Sequence, residues 1–415
     1  MEQKGTDCMR EWSGKDIRIL ERTASSSEEI PAAFRVSSAA PVRRFHQGMP
    51  GYAETPLLAF PALARQLKVR GVYAKDESKR FSLNAFKGLV GSYAMFRILC
   101  EKLSLDPSET TLHDLTSGEI RERIRKFEFV TCTDGNHGRG VSWAAGLFGC
   151  RAHIYMPAGT REVRAEAIRR VGPAEVVVTE LSYDDTVRLA KETSERNGWI
   201  LIQDTSWDGY EKIPAWIIQG YLTLAMETTE QLKRRSVRPT HVFLQAGVGA
   251  MAGGVLACFA DYYGEKRPVA VIVEPDAANC IYASAKAGDG KAHSVEGIAA
   301  TMMAGLNCGT PCSITWPILR DHADYYVSCA DPVAALGMRA YAAGLDGDPA
   351  LVSGESGAAT FGAAVCILTD ARLADARSAM KLSSDSVLLF ISTEGDTDPD
   401  NYRKIVGCAK ETNIM

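Results

Sequence analysis

The sequence has little excess charge of either sign: 47 Lys and Arg stand against 51 Asp and Glu, a formal net charge of -4. With no basic field to hold a phosphate backbone, nucleic acid is excluded as an expected partner and small molecules become the default. A cysteine frame is lacking too. The 11 cysteines are odd in number and scattered from Cys8 to Cys408, which speaks against a secreted disulfide scaffold and for buried thiols in a reducing compartment. Cys308 and Cys312 are the closest pair, but no second pair and no histidine cluster joins them, so no metal site is expected. Long apolar runs are also missing. The uncharged run Phe243 to Ala260 holds four glycines and a glutamine and reads as strand, turn and helix rather than a membrane span. The N-terminal stretch MEQKGTDCMREWSGKDIRIL carries charge throughout, unlike a secretory signal. A cytoplasmic protein without membrane association is the expectation.

What is present is an average globular composition, 46% apolar and 24% charged, over 415 residues. A single core stops growing near ~250 to 300 residues, so two domains are expected. Residues 1–40 are polar, include Ser25-Ser26-Ser27-Glu28-Glu29, and read as a loosely packed leader. From Gly71 onward short β-branched runs alternate with longer helical patterns. Strands are expected at 71–74, 127–131, 153–156, 175–179, 200–203, 241–245, 269–273 and 386–391. Helices are expected at 86–101, 140–148, 162–170, 183–196, 213–233, 253–263 and 357–368. This alternation implies an α/β fold of two doubly wound parallel-sheet domains. Ligands in such sheets collect beyond the carboxyl ends of strands, where polar or glycine clusters stand at 133–140, 204–210, 246–254 and 392–397, with a fifth around 84–88.

Ala246-Gly247-Val248-Gly249-Ala250-Met251-Ala252-Gly253-Gly254 follows an expected strand and opens a helix. Glycines let backbone N–H groups turn toward one anion, and the helix start adds partial positive charge, so this is a phosphate cradle. A nicotinamide-binding fold reads similarly, with Glu274 where a ribose-binding acid belongs. Against that dehydrogenase reading, about 240 residues with polar clusters of their own precede the loop. Lys87, in Asn84-Ala85-Phe86-Lys87-Gly88, lies among apolar neighbours at a helix start. Burial and the positive helix end both disfavour its charged form, so its amine is expected to lose a proton readily and to form a Schiff base.

These pieces, in this order, resemble the fold-type-II family of pyridoxal-phosphate enzymes, which includes threonine dehydratases, cysteine synthases and the tryptophan synthase β-subunit. The lysine follows Asn84-Ala85-Phe86. After it come the asparagine loop Asp134-Gly135-Asn136-His137-Gly138, the phosphate loop Gly247 to Gly254, Glu355 in Gly354-Glu355-Ser356-Gly357, and the hydroxyls Ser392 and Thr393. Longer strings, KDESKRFSLNAFK at 75–87, TDGNHGRGVSWAA at 133–145 and QDTSWDGYEKIPAWIIQGY at 203–221, are similar to the family's branch that eliminates ammonia from small diamino acids.

The resemblance implies pyridoxal 5'-phosphate as cofactor, with Lys87 as its lysine and the backbone of Gly247, Val248, Gly249, Ala250 and Met251 at its phosphate. It implies Asn136 at the phenolate oxygen, Ser392 or Thr393 at the pyridine nitrogen, and Glu355 in the cofactor site. It further implies Lys87 as the base for the L-enantiomer, Asp134 for the D-enantiomer, and Asp204 as partner of the β-ammonium of 2,3-diaminopropionate, giving pyruvate and two ammonia. His137 is read as structural. The alternatives are a serine or threonine dehydratase of the same fold and, further off, the NAD-dependent dehydrogenase. A homodimer is implied, as is a small domain of residues 90–232 inserted in a large one made of 41–89 and 233–415, with the cofactor between them.

Overall fold

A computed structural model describes residues 12–23, 29–297, 301–345 and 347–407. In chain order the strands are β1 (Ile17–Glu21), β2 (Leu57–Ala59), β3 (Gly71–Asp76), β4 (Glu128–Cys132), β5 (Arg151–Met156) and β6 (Ala174–Val178). They continue with β7 (Ile200–Leu201), β8 (His241–Gln245), β9 (Val269–Pro275), β10 (Tyr325–Cys329) and β11 (Val387–Ser392). Contacts divide the chain into two compact units, one of Met1–Pro31, Thr55–Ser78 and Ala225–Met415, the other of Ala32–Glu54 and Lys79–Leu224.

The first unit holds a seven-stranded sheet in the order β1-β10-β9-β8-β11-β3-β2. Its five inner strands run parallel, and β1 and β2 close the two edges antiparallel. The fold is therefore α/β with a parallel sheet, as expected, but not parallel throughout. Every residue of β8, β10 and β11 is buried, the near-continuous apolar pattern of strands covered on both faces. Helix Glu355–Thr369 packs on this sheet with thirteen buried residues running from Glu355 to Ile367. Gln245, Glu274 and Ser392 stand at or next to the carboxyl ends of β8, β9 and β11, so the polar groups of this unit gather at one end of its sheet.

The second unit holds a four-stranded, all-parallel sheet in the order β6-β5-β4-β7. β4 and β7 are neighbours through Val130 and Leu201. The loops leaving them, which carry Asp134 and Asp204, therefore start side by side. Helices Gly88–Leu103 and Asn136–Phe148 cross at glycines: a Cβ added to Gly140 would lie 2.3 Å from the Lys87 carbonyl oxygen, and one at Gly91 would lie 2.9 Å from that of Gly140. Only glycine permits this approach, and it fixes the backbone of Lys87 against the asparagine-loop helix.

The expected boundaries and the observed grouping differ in several places: residues 41–54, expected in the large domain, group with the second unit, and residues 225–232, expected in the small domain, group with the first. Residues 79–89, placed with the large domain in the sequence reading, group with the second unit, because the segment after Lys79 packs against helix Asn136–Phe148: Arg139 donates to the Leu83 carbonyl and Phe81 stacks on Trp143 at 4.6 Å. The expected leader contains β1, which pairs with β10, and the start of helix Val36–Gln47; residues 1–11 and 24–28 of it lie outside the described residues. Among the described cysteines, eight are buried and Cys308 is half-buried, while Cys8 and Cys408 lie outside the described residues.

Candidate active site

Lys87 precedes helix Gly88–Leu103, and its amine reaches across the second unit to Asp204. Nζ lies 2.7 Å from Asp204 Oδ2 and donates to the Tyr221 hydroxyl at 3.0 Å. Burial lowers the lysine pKa, but the Asp204 carboxylate and the Tyr221 hydroxyl outweigh it and hold the group above the ordinary lysine value. This corrects the expectation of an easily deprotonated amine: a carboxylate 117 residues away in sequence keeps it an ammonium. For Asp204, burial acts upward, but His137 and the Lys87 ammonium prevail, and the carboxyl comes down to about 2. The pair is an ammonium against a carboxylate.

Tyr221 is the residue that the sequence reading missed. It is fully buried, and its ring stacks on Phe86 at 5.3 Å. Helices Lys212–Gly220 and Leu222–Arg234 meet at it, where one continuous helix over 213–233 was expected. That break, Gly220-Tyr221, was the available signal.

The asparagine loop is shaped by Thr133. Its hydroxyl accepts from the N–H groups of Gly135 at 2.9 Å and Gly138 at 3.0 Å, satisfying donors that a helix start leaves unpaired. The helix accordingly begins at Asn136 rather than at Gly140. Gly135 has φ 149° and ψ -67°, a conformation open to glycine. Asp134 and Asn136 are both half-buried. Burial pushes the Asp134 carboxyl up to about 7; Arg164 draws it back, Asp204 adds to the rise and Lys87 opposes it. His137 has its Nε2 2.8 Å from the Ile202 carbonyl, and burial keeps its pKa low. Nε2–H donating to a backbone carbonyl agrees with a structural role, although Nδ1 stands 3.7 Å from Asp204 Oδ2.

The remaining predicted residues belong to the first unit. Gly249 has φ +87° and precedes helix Ala250–Tyr263; a side chain there would strike Leu319 at 2.6 Å. The backbone from Gly247 to Met251, with glycine at 247 and 249, is thus a turn into the start of a 14-residue helix, and it fits a phosphate. Cys280 Sγ donates to the Gly247 carbonyl at 3.6 Å, tying the cradle to helix Cys280–Ala287. Glu274 accepts from the N–H groups of Ile281 and Tyr282 at 2.9 and 2.6 Å. It caps that helix from inside, and burial raises its carboxyl to about 8; a buried cap is not the ribose-binding acid of the dehydrogenase reading. Ser392 donates to Ser353 Oγ at 2.8 Å, and Thr393 Oγ1 accepts from Gln245 Nε2 at 3.0 Å. Gln245 Oε1 and Ser356 Oγ are buried without partners, leaving hydrogen-bonding capacity for a bound polar group. Glu355 accepts from Asn401 Nδ2 at 2.6 Å.

Comparison with known proteins agrees with this chemistry. Residues 49–393 match the family described as pyridoxal-phosphate dependent enzyme. The diaminopropionate ammonia-lyase of Escherichia coli strain K12 is 49% identical over 390 residues, covering 94% of this chain and 96% of that protein. The crystal structure of selenomethionine-incorporated holo diaminopropionate ammonia lyase from Escherichia coli matches with a TM-score of 0.89 at 46% identity, over 95% of this chain and 97% of that one. The same enzyme in complex with an aminoacrylate-PLP azomethine reaction intermediate matches with a TM-score of 0.87 at 46% identity, over 95% and 97% of the two chains.

Proposed function

This chain belongs to the pyridoxal-phosphate dependent enzymes, and from that membership we propose that it eliminates ammonia from 2,3-diaminopropionate, giving pyruvate and two ammonia. The observation that carries the reading is the carboxylate beside Lys87: Asp204 holds its ammonium at 2.7 Å, and in the neighbouring loop burial pushes the Asp134 carboxyl up to about 7. A carboxylate that grips the lysine ammonium has the chemistry to grip the β-ammonium of a diamino acid, a contact that a hydroxy amino acid lacks.

Bound pyridoxal phosphate supplies the electron sink for charge at Cα. Lys87 is the residue that would carry its aldehyde carbon, the backbone of Gly247 to Met251 its phosphate, Asn136 its phenolate oxygen, and Ser392 or Thr393 its pyridine nitrogen, with Glu355 alongside. The work of this chain's own residues is proton transfer and orientation. Lys87 takes the Cα proton of the L-enantiomer, and Asp134, poised near neutral pH, takes that of the D-enantiomer. Asp204 keeps the β-nitrogen protonated so that it departs as ammonia without developing an amide anion. The same reading has the protein acting as a cytoplasmic homodimer on a small amino acid; among the described residues no single helix is long and apolar enough to cross a membrane.

The test is steady-state turnover on D- and L-2,3-diaminopropionate beside L-serine and L-threonine. Faster release of pyruvate from the diamino acids is expected. Faster turnover of the hydroxy amino acids would overturn the reading in favour of a dehydratase.

A further inference from the structure

The asparagine loop carries a neighbour that the mechanism so far has not used. Arg164, half-buried on helix Glu162–Arg169, lies across the loop: its Cβ, Cγ and Cδ border the space that a side chain at Gly135 would enter, at 3.7, 3.9 and 3.7 Å. Its Nη1 donates to the backbone carbonyl of Asp134 at 3.4 Å. On the same helix Ala165 and Ile168 are fully buried, and Ile168 reaches to within 3.1 Å of a Cβ built on Gly138. Helix, loop and guanidinium are therefore packed as one piece.

After burial, the charges that act on the Asp134 carboxyl are those of Arg164, the largest, then Asp204 and Lys87. Lys87 is engaged by Asp204 at 2.7 Å, and in the proposed function it is tied to the cofactor for part of each turnover. Arg164 is the cation left to Asp134. We propose that Arg164 is a positioning residue for Asp134, anchoring the loop through the Asp134 carbonyl and supplying the positive charge that keeps its carboxylate ionised as the base for the D-enantiomer. The inference rests on the reading that D-turnover uses Asp134.

The loaded enzyme is assayed across pH 5 to 9 on D- and L-2,3-diaminopropionate for the wild type, Arg164→Gln and Arg164→Lys. Burial raises the Asp134 carboxyl and Arg164 pulls it down, so removing the cation moves the acid limb of kcat/KM for the D-enantiomer to higher pH. A movement of about one unit is expected, which is a ~10-fold loss at pH values below the limb. The limb for the L-enantiomer stays in place, and Arg164→Lys restores the D-limb toward the wild type. Carboxyl-carbon NMR, with Asp134 assigned by its absence in Asp134→Asn, reads the same shift without turnover. A D-limb that stays put in Arg164→Gln, or limbs that move equally for both enantiomers, would overturn the proposal. Wild-type enzyme that fails to turn over the D-enantiomer at all refutes the underlying reading instead, so the two failures are distinguishable.

Discussion

A buried lysine and a half-buried one, each facing a carboxylate, sit in different units of this molecule and have different surroundings. Lys75 on β3 meets Glu227 at 2.8 Å with both side chains 0% exposed, and its amine also donates to the Thr55 carbonyl at 2.8 Å and Gln231 Oε1 at 3.0 Å. Lys87 meets Asp204 at 2.7 Å, with 18% and 16% of the two side chains exposed, and among the described residues finds its second acceptor in Tyr221. An ammonium has three N–H donors. The first pair satisfies all three with protein and is sealed; the second leaves one unused and stays open to a small molecule. The ion pair alone does not mark a reactive site. Incomplete satisfaction and access do.

The largest expected effect contrasts the two lysines directly. Lys87→Ala removes the visible absorption of bound cofactor and all measurable turnover while the protein stays folded. Lys75→Met leaves Glu227 buried without its cation and costs about 3 to 5 kcal/mol of stability in denaturant unfolding, yet the folded fraction keeps its cofactor absorption. If folded Lys75→Met lost that absorption, the division into a structural and a chemical lysine would fail. The smallest effect is at Tyr221. Tyr221→Phe keeps the stacking on Phe86 and deletes one hydrogen bond to the amine, so turnover should fall by about 2- to 12-fold, with unfolding midpoints nearly unchanged. A loss as large as that of Lys87→Ala would show that Tyr221 takes part in the chemistry beyond orienting the amine.

Much of the fold and of the candidate site was legible in the sequence, and the remainder, the contrast between the two lysines included, depended on contacts between distant residues. β8 was expected at its observed bounds, because HVFLQ is a short apolar run closed by glycines. β1 was missed because IRILE alternates charged and apolar residues inside a polar segment, and only pairing with β10 makes it a strand. β2 has three residues, too few for a period to register. Asp134, Asn136 and Asp204 stood out through their motifs, but the charge state of Lys87 was read the wrong way: apolar neighbours in sequence suggested a neutral amine, and the deciding carboxylate arrives from another loop. Arg164 had no sequence signal at all, since a surface-spaced arginine on a short helix looks like any other. Comparison of the units also shows where polar groups gather: at the carboxyl ends of β4 and β7 in one, and of β8, β9 and β11 in the other, where parallel sheets place their ligands.

The central claim is that two residues, Lys87 and Asp134, serve the two faces of Cα while Asp204 serves both. It is tested most directly by the ratio of D- to L-2,3-diaminopropionate turnover in Asp134→Asn, with Asp204→Asn measured alongside. Removing a positioned base costs ~10²- to 10⁴-fold, so the ratio should collapse by that factor in Asp134→Asn with much of the L-activity kept, while Asp204→Asn lowers both rates and leaves the ratio near that of the wild type. An Asp134→Asn enzyme that loses the two activities equally would contradict the account.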